Sequence, residues 1–319
     1  MKILLTYRIS QLGIDYLKNH GFDIDINPHD RPLSKNELIK KMHGKDGVIS
    51  MLFDKIDKSV MDCAGKNLKV IANYAVGYDN IDVEEAKKRN IIVTNTPSVL
   101  TESVAEHTIA LMLAVSKRIV EADKFTRAGK YKHWMPLGFL GTQLWGKTLG
   151  IVGLGRIGSF LAEIAYYGFK MKIMYYDISR DDRFEMELRA KYGELNTVLK
   201  NSDFISLNCP LNDSTRHLIG KNELKIMKPT AILVNTSRGP VIDESALVEA
   251  LKSKKIAGAG LDVFEFEPKL AKGLAKLDNV ILTPHIASAT LEAREAMSLI
   301  VAKNIFSVLT LGKGLNEVK

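Results

Sequence analysis

At 319 residues, 46% hydrophobic and 26% charged, the chain is long enough for two separately cored domains and has the balance of an ordinary globular protein. Its formal charge of +8 is carried by lysines and arginines interleaved with acids, with no run of five or six like charges; this argues against a nucleic-acid partner and fits a lysine-rich solvated surface whose mild field gathers small anions. Two scattered cysteines, Cys63 and Cys209, and seven histidines without paired spacing leave no disulfide framework or metal site to expect, and favour a reducing compartment.

The first strand candidate is KILLTY (2–7), whose apolar run is too short for the core of a signal peptide. DIDI (23–26), GVISML (47–52), KVIANYA (69–75) and IIVTN (91–95) follow as strands, separated by helical stretches at 10–20, 34–42 and 82–89. That alternation predicts βαβ units and a parallel sheet. After Pro97 a long helix is expected over 101–128, with Val104, Ala105, Thr108, Leu111, Met112 and Val115 on its apolar face. Ser103 with Glu106 fits a capping box near its start, and Thr101 fits the cap equally well. Within that helix IALMLAV (109–115) falls short of a membrane span, so no membrane partner and a cytoplasmic location are expected. Residues 129–147, rich in glycine, proline and aromatics, read as a loop crossing a surface.

A second alternating series begins at KTLGIV, with strands near 148–152, 172–176, 203–207, 231–234, 256–261 and 280–282, and a final helix over 290–310. The chain is expected to cross between its domains near 98–101 and again near 285–290. The domains are then 1–98 with 290–319, and 99–289, and ligands favour the cleft between such domains.

Gly153, Gly155 and Gly158 form G-x-G-x-x-G directly after the apolar strand TLGIV. Glycines at this spacing permit a tight turn, close backbone approach to a pyrophosphate and close helix–strand packing. The helix start, with Arg156 and Ile157, turns N–H groups toward the phosphates. The next strand ends in Asp177, 19 residues after Gly158, where an acid meets the adenosine ribose. A carboxylate there repels a 2′-phosphate and favours NAD over NADP, although Arg180 and Arg183 follow closely and soften that preference. Arg156 fits either a pyrophosphate contact or a solvated cation.

Three polar residues stand just past apolar strands in this half: Arg238, Glu267 and His285. In an open parallel sheet such positions share the rim where ligands collect. Arg238 suits two charge-assisted hydrogen bonds to a carboxylate. His285 suits proton transfer near neutral pH, and Glu267 would hold its far ring nitrogen and favour the protonated ring.

The segments NTSRGPVIDESAL, GAGLDVFEFEP and TPHIASAT resemble the signature segments of the NAD-dependent D-isomer-specific 2-hydroxyacid dehydrogenases. ANYAVGYDNID, NTPSVLTESVAEHTIALML and GKTLGIVGLGRIG match as well, so the resemblance covers essentially the whole chain. It implies an α/β fold of two doubly wound parallel-sheet domains, a Rossmann NAD-binding domain and a smaller flavodoxin-like substrate domain. Within the family the sequence is most similar to glyoxylate/hydroxypyruvate reductases.

The same resemblance implies that the N–H groups of Val76 and Gly77 bind the substrate carboxylate with Leu52 nearby, though core packing accounts for Val76 and Leu52 equally. It places Thr101, Cys209, Pro210, Thr236, Ser237 and Asp262 along the cofactor cleft, with Cys209 as readily a core residue and Thr101 as readily a cap. Trp134 in the crossing loop resembles a tryptophan that some such reductases insert into the partner subunit's site; simple dimer packing is the alternative, and both imply a homodimer. Phosphoglycerate dehydrogenases usually carry an arginine just before the carboxylate-binding loop, where Asn73 and Tyr74 stand here, and commonly have a further regulatory domain, where this chain ends at Lys319. The expectation is therefore reduction of glyoxylate or hydroxypyruvate by NADH. Its rivals are a bulkier 2-keto acid, phosphoglycerate, or a non-enzymatic NAD-sensing module like the corepressors that share the fold.

Overall fold

The computed structural model describes residues 1–318; Lys319, the end of the segment expected to rejoin the first domain, lies outside the described residues. The chain divides into two compact units, Met1–Leu100 with Ala289–Lys319, and Thr101–Ser288.

In the first unit the strands β1 (Lys2–Leu5), β2 (Asp23–Ile26), β3 (Gly47–Ser50), β4 (Val70–Asn73) and β5 (Ile92–Thr94) pair in parallel in the order β2-β1-β3-β4-β5. This is the flavodoxin-like order, which reverses between β1 and β3. The β3 and β4 strands are buried along their whole length, so they read as continuous apolar runs rather than alternating ones. The helix Leu291–Leu311 returns from the far end of the chain and packs against the helix Gln11–Asn19. The approach is so close that a Cβ on Gly13 would lie 2.3 Å from the Ser298 carbonyl oxygen. Gly13 N–H donates instead to Ser298 Oγ at 3.0 Å. A short helix absent from the sequence expectations, Lys58–Ala64, is held by Asp57, which accepts the Val60 N–H at its start.

In the second unit the strands β6 (Thr148–Val152), β7 (Lys172–Tyr176), β8 (Lys191–Tyr192), β9 (Phe204–Leu207), β10 (Ile232–Asn235), β11 (Gly258–Leu261) and β12 (Val280–Leu282) are also all parallel. Their order is β12-β11-β10-β9-β6-β7-β8, the Rossmann pattern with its reversal between β6 and β9. The two residues of β8 carry no apolar run and gave no strand signal.

The helix expected over 101–128 is two helices, Thr101–Ser116 and Ile119–Arg127. Arg118 between them is left-handed, with φ 54°. The Ser116 carbonyl released at the break accepts the Thr142 N–H at 2.9 Å, so the crossing loop takes the bond that the next turn would have used. The first helix begins at Thr101, which puts Ser103 inside its first turn rather than ahead of it.

Candidate active site

The glycine turn joins β6 to the helix Arg156–Glu163, and each glycine answers to a separate constraint. Gly153 has φ 96°, and a Cβ there would meet the Cys209 nitrogen at 2.7 Å. Gly158 lies so near the start of the turn that a Cβ would stand 2.2 Å from the Gly153 oxygen. Gly155 is the N-cap and brings no side chain to the helix end; a Cβ there would enter open space, with nothing within 4 Å. The N–H groups that begin this helix, at Arg156, Ile157 and Gly158, have no partner within the helix, and the side-chain-free Gly155 leaves an open cradle before them. Asp177, one residue past β7, is fastened to the turn: its Oδ2 accepts the Leu154 N–H at 2.6 Å and its Oδ1 the Ser179 N–H at 3.3 Å.

Across the strand-order reversal, Cys209 and Pro210 follow β9. The Cys209 thiol is buried behind Gly153, and burial pushes it up to about 11, so it stays protonated near neutrality. Past β10, the fully buried Asn235 organises the next turn. Its Oδ1 accepts from the N–H (3.0 Å) and hydroxyl (2.8 Å) of Ser237, and its Nδ2 donates to the Arg238 carbonyl at 2.9 Å. Thr236 reaches Thr108 of the long helix, hydroxyl to hydroxyl, at 3.0 Å. Thr101 is partly buried at that helix's first turn.

The residues after β11 and β12 come together. His285 Nδ1–H donates to Glu267 Oε2 at 3.1 Å, and Glu267 Oε1 accepts the Phe264 N–H at 3.0 Å. His285 itself is left-handed, with φ 55°, a backbone state that needs outside support. Asp262 supplies it. Asp262, which the resemblance put along the cofactor cleft, is fully buried, and its carboxylate bonds to the 283–287 loop. It accepts the Thr283 hydroxyl at 2.6 Å and the Ile286 and Ala287 N–H groups at 2.9 and 2.7 Å, while its carbonyl accepts the His285 N–H at 2.8 Å. His107 Nε2 lies 3.5 Å from the same carboxylate. Burial by itself would raise the Asp262 carboxyl, but the bonds from His107, Thr283 and the two N–H groups outweigh it and hold it below the usual range.

A second buried acid steadies the loop around Glu267. Glu244 accepts the N–H groups of Glu265 (2.8 Å) and Ala271 (3.2 Å), and Glu265 in return accepts the Glu244 N–H at 3.1 Å and meets His217 Nε2 at 2.6 Å. Burial pushes the Glu244 carboxyl up, and the N–H bonds offset only part of that. His107, Glu244 and Asn235 were not singled out from sequence. Each acts on loops far from it along the chain, and no local pattern announces that.

In the first unit, Leu52 follows β3 and Val76 and Gly77 follow β4, at the carboxyl ends of neighbouring strands. Their loops are knit by three asparagines. Asn73 Nδ2 donates to the Gly77 carbonyl at 2.8 Å, and Asn80 Nδ2 to the Met51 and Asp54 carbonyls at 3.1 and 3.0 Å. Asn95 Nδ2 pins the Val76 carbonyl at 2.8 Å. With both carbonyls held, the N–H groups of Val76 and Gly77 have no hydrogen-bond acceptor among the described residues. Leu52 and Val76 are only partly buried, which is less than core packing alone would give.

The crossing loop presents Trp134 at 77% and Leu137 at 82% exposure, an apolar face with nothing of its own unit over it. No group of acids, histidines and cysteines among the described residues has the arrangement of a metal site. No described helix is long and apolar enough to cross a membrane.

A model of the D-isomer specific 2-hydroxyacid dehydrogenase, NAD binding domain, matches residues 109–287. The glyoxylate reductase of Thermococcus litoralis is 52% identical over 310 residues, covering 96% of this chain and 93% of that protein. That of Pyrococcus furiosus is 49% identical, covering 96% and 91%. Among solved structures, a protein from Thermus thermophilus matches with a TM-score of 0.94 and 41% identity over 100% of both chains. The NADPH-dependent glyoxylate/hydroxypyruvate reductase of Sinorhizobium meliloti, in complex with NADP and malonate, matches at 0.88 and 33%, covering 99% of this chain and 96% of that one.

Proposed function

This chain belongs to the D-isomer-specific 2-hydroxyacid dehydrogenases, and from that premise we propose that it reduces a small 2-keto acid, glyoxylate or hydroxypyruvate, to the D-2-hydroxy acid with NADH. The observation that carries the chemistry is the Glu267–His285 pair at 3.1 Å, set beyond two adjacent strand ends of the sheet that also carries the glycine turn.

The cradle before Gly155 fits a dinucleotide: Gly153, Gly155, Arg156, Ile157 and Gly158 would hold its pyrophosphate and Asp177 its adenosine ribose. Thr101, Cys209, Pro210, Thr236 and Ser237 would line the rest, and Asp262 would serve from behind by holding the 283–287 loop. The nicotinamide, when bound, supplies the hydride that reduces the keto carbon.

The remaining work falls to side chains. Arg238 binds the substrate carboxylate through charge-assisted hydrogen bonds and polarises the carbonyl. The N–H groups of Val76 and Gly77, with Leu52 nearby, would also bind the substrate carboxylate. With Nδ1–H engaged by Glu267, Nε2 of His285 is the atom that gives its proton to the carbonyl oxygen. In the reverse direction neutral His285 accepts the hydroxyl proton. Glu267 fixes the plane of the ring for both.

Thr101–Ser288 is then the dinucleotide-binding domain, and Met1–Leu100 with Ala289–Lys319 the substrate domain. The apolar face of the crossing loop supports a homodimer, with Trp134 packed against or reaching toward the partner's site. Two free cysteines suit a reducing cytoplasm.

Steady-state assays on glyoxylate, hydroxypyruvate, pyruvate and a branched 2-keto acid, each with NADH and NADPH, test the proposal. Highest kcat/KM is expected for glyoxylate or hydroxypyruvate with NADH. No NADH oxidation with either of these two would refute it.

A further inference from the structure

Asp177 is not the only acid that shapes the adenosine end of the second unit. Arg180 sits three residues beyond it, after a turn closed by the Ser179 N–H on Asp177 Oδ1. A cation so placed is the natural partner of a 2′-phosphate, and would offset the repulsion from Asp177. In this chain the guanidinium is already gripped from its other side. Its Nε and Nη2 donate to the two carboxylate oxygens of Glu185 at 2.8 and 2.9 Å, a forked pair, and Asp182 adds a contact to Nε at 3.0 Å.

Glu185 is itself anchored. Its side chain is only 16% exposed, against 82% for that of Asp182, and its Oε1 accepts the Tyr175 hydroxyl at 2.9 Å. Tyr175 is fully buried in β7, and its hydroxyl accepts the Asp181 N–H at 2.8 Å, so the post to which Glu185 is tied cannot swing. Burial pushes the Tyr175 hydroxyl up to about 12, which keeps it a donor across the working range. The neighbouring Arg183 also faces an acid, Glu187, at 2.9 Å on the exposed side of the same helix.

We propose that Glu185 is a specificity-determining positioning residue: by holding Arg180 against Tyr175 and the helix Asp182–Leu188, it withholds the cation that a 2′-phosphate would need. Discrimination against NADPH then has two parts, repulsion by Asp177 and sequestration of Arg180 by Glu185. This rests on the reading that the site prefers NADH.

The test is calorimetric titration of the full-length protein with NAD⁺, NADP⁺ and adenosine 2′-monophosphate, which reads affinity without turnover. Glu185→Gln retains an acceptor for the Tyr175 hydroxyl and removes the charge on Arg180. It should tighten NADP⁺ and adenosine 2′-monophosphate about tenfold and leave NAD⁺ within about twofold. Adding Arg180→Ala to that variant should cancel the gain. Arg180→Ala alone, which leaves the Tyr175–Glu185 bond in place, should not weaken NADP⁺, because the guanidinium is already committed. An unchanged NAD⁺/NADP⁺ ratio in Glu185→Gln, or a loss of NADP⁺ affinity in Arg180→Ala alone, overturns the proposal while the NADH reading stands. A wild-type protein that binds NADP⁺ more tightly than NAD⁺ overturns both.

Discussion

Gly239 offers a sharp test of how the proposed catalytic pair, Glu267 and His285, is held, because it is neither member. It follows Arg238 and lies directly against the chain that carries Glu267. A Cβ at this position would stand 1.9 Å from both the carbonyl carbon and the oxygen of Phe264, and 2.4 Å from the Glu265 nitrogen. These are backbone atoms, and a methyl group needs about 3.4 Å of clearance, so in Gly239→Ala the 264–265 peptide has to retreat by about 1.5 Å. Phe264 is the residue whose N–H fixes Glu267 Oε1 at 3.0 Å, and Glu267 Oε2 in turn holds His285 at 3.1 Å. A retreat of that size exceeds the slack in either bond. Misplacement of a catalytic group by about 1 Å costs about 100-fold in rate, and overpacking costs about 1–3 kcal/mol in stability. The assay is kcat and KM for glyoxylate reduction, with a thermal melt and an NADH fluorescence titration on the same samples. The expected outcome is kcat lower by about 100-fold with NADH affinity within about twofold, since the glycine turn follows β6 and the displaced loop follows β11, with β9 and β10 between them in the sheet. Gly168→Ala, where an added Cβ meets nothing within 4 Å, is the silent control. A folded Gly239→Ala enzyme with wild-type kcat would refute the claim that this contact sets the position of Glu267.

His285→Ala should lose about 10²- to 10⁴-fold in kcat with cofactor binding retained, and Arg238→Gln should lose about 10²-fold or more in kcat/KM, read in the same assay. Near-normal turnover removes the residue from its role. Asp262→Asn should destabilise the protein by about 1–3 kcal/mol, because an amide N–H₂ is set against N–H donors in a dry site. The sign of the pH effect follows from the lowered carboxyl: the contribution of Asp262 is fully present above the ordinary carboxylate range and is lost as pH falls through its depressed value, so urea midpoints of the Asn variant should depend less on acid pH than those of the wild type. Glu244, raised by burial, carries the opposite sign, contributing fully below the ordinary carboxylate range and losing that contribution as pH rises through its folded value; Glu244→Gln should flatten that side of the same urea series. For the proposed homodimer, Trp134→Ala should shift sedimentation from dimer toward monomer at low micromolar concentration; an unchanged dimer would place the interface elsewhere.

Much of this protein was legible along the chain because the signals are local. Apolar runs of four or five residues predicted most strands of both sheets, and Gly153, Gly155 and Gly158 stood in order after the right one. Arg238, Glu267 and His285 were singled out from their places beyond apolar strands. A helix break at Arg118 was not, since it depends on Thr142 competing for the Ser116 carbonyl from the crossing loop. The hold of Asp262 on the 283–287 loop was not legible either, since the Ile286 and Ala287 N–H groups that its carboxylate accepts lie more than 20 residues away along the chain.

The amino-acid order by itself thus determined the periodicity, the turn that only glycine permits, and which chemically able side chains end which strands. These follow from sterics and spacing within a few residues, where the chain cannot avoid its own neighbours. Tertiary structure decided the strand orders, the return of the last helix onto Gly13, the inward turn of Asp262 and the capture of Arg180 by Glu185. Each of these is settled by groups that meet only when whole layers pack, where burial makes an unpaired polar atom costly and so selects the one partner within reach.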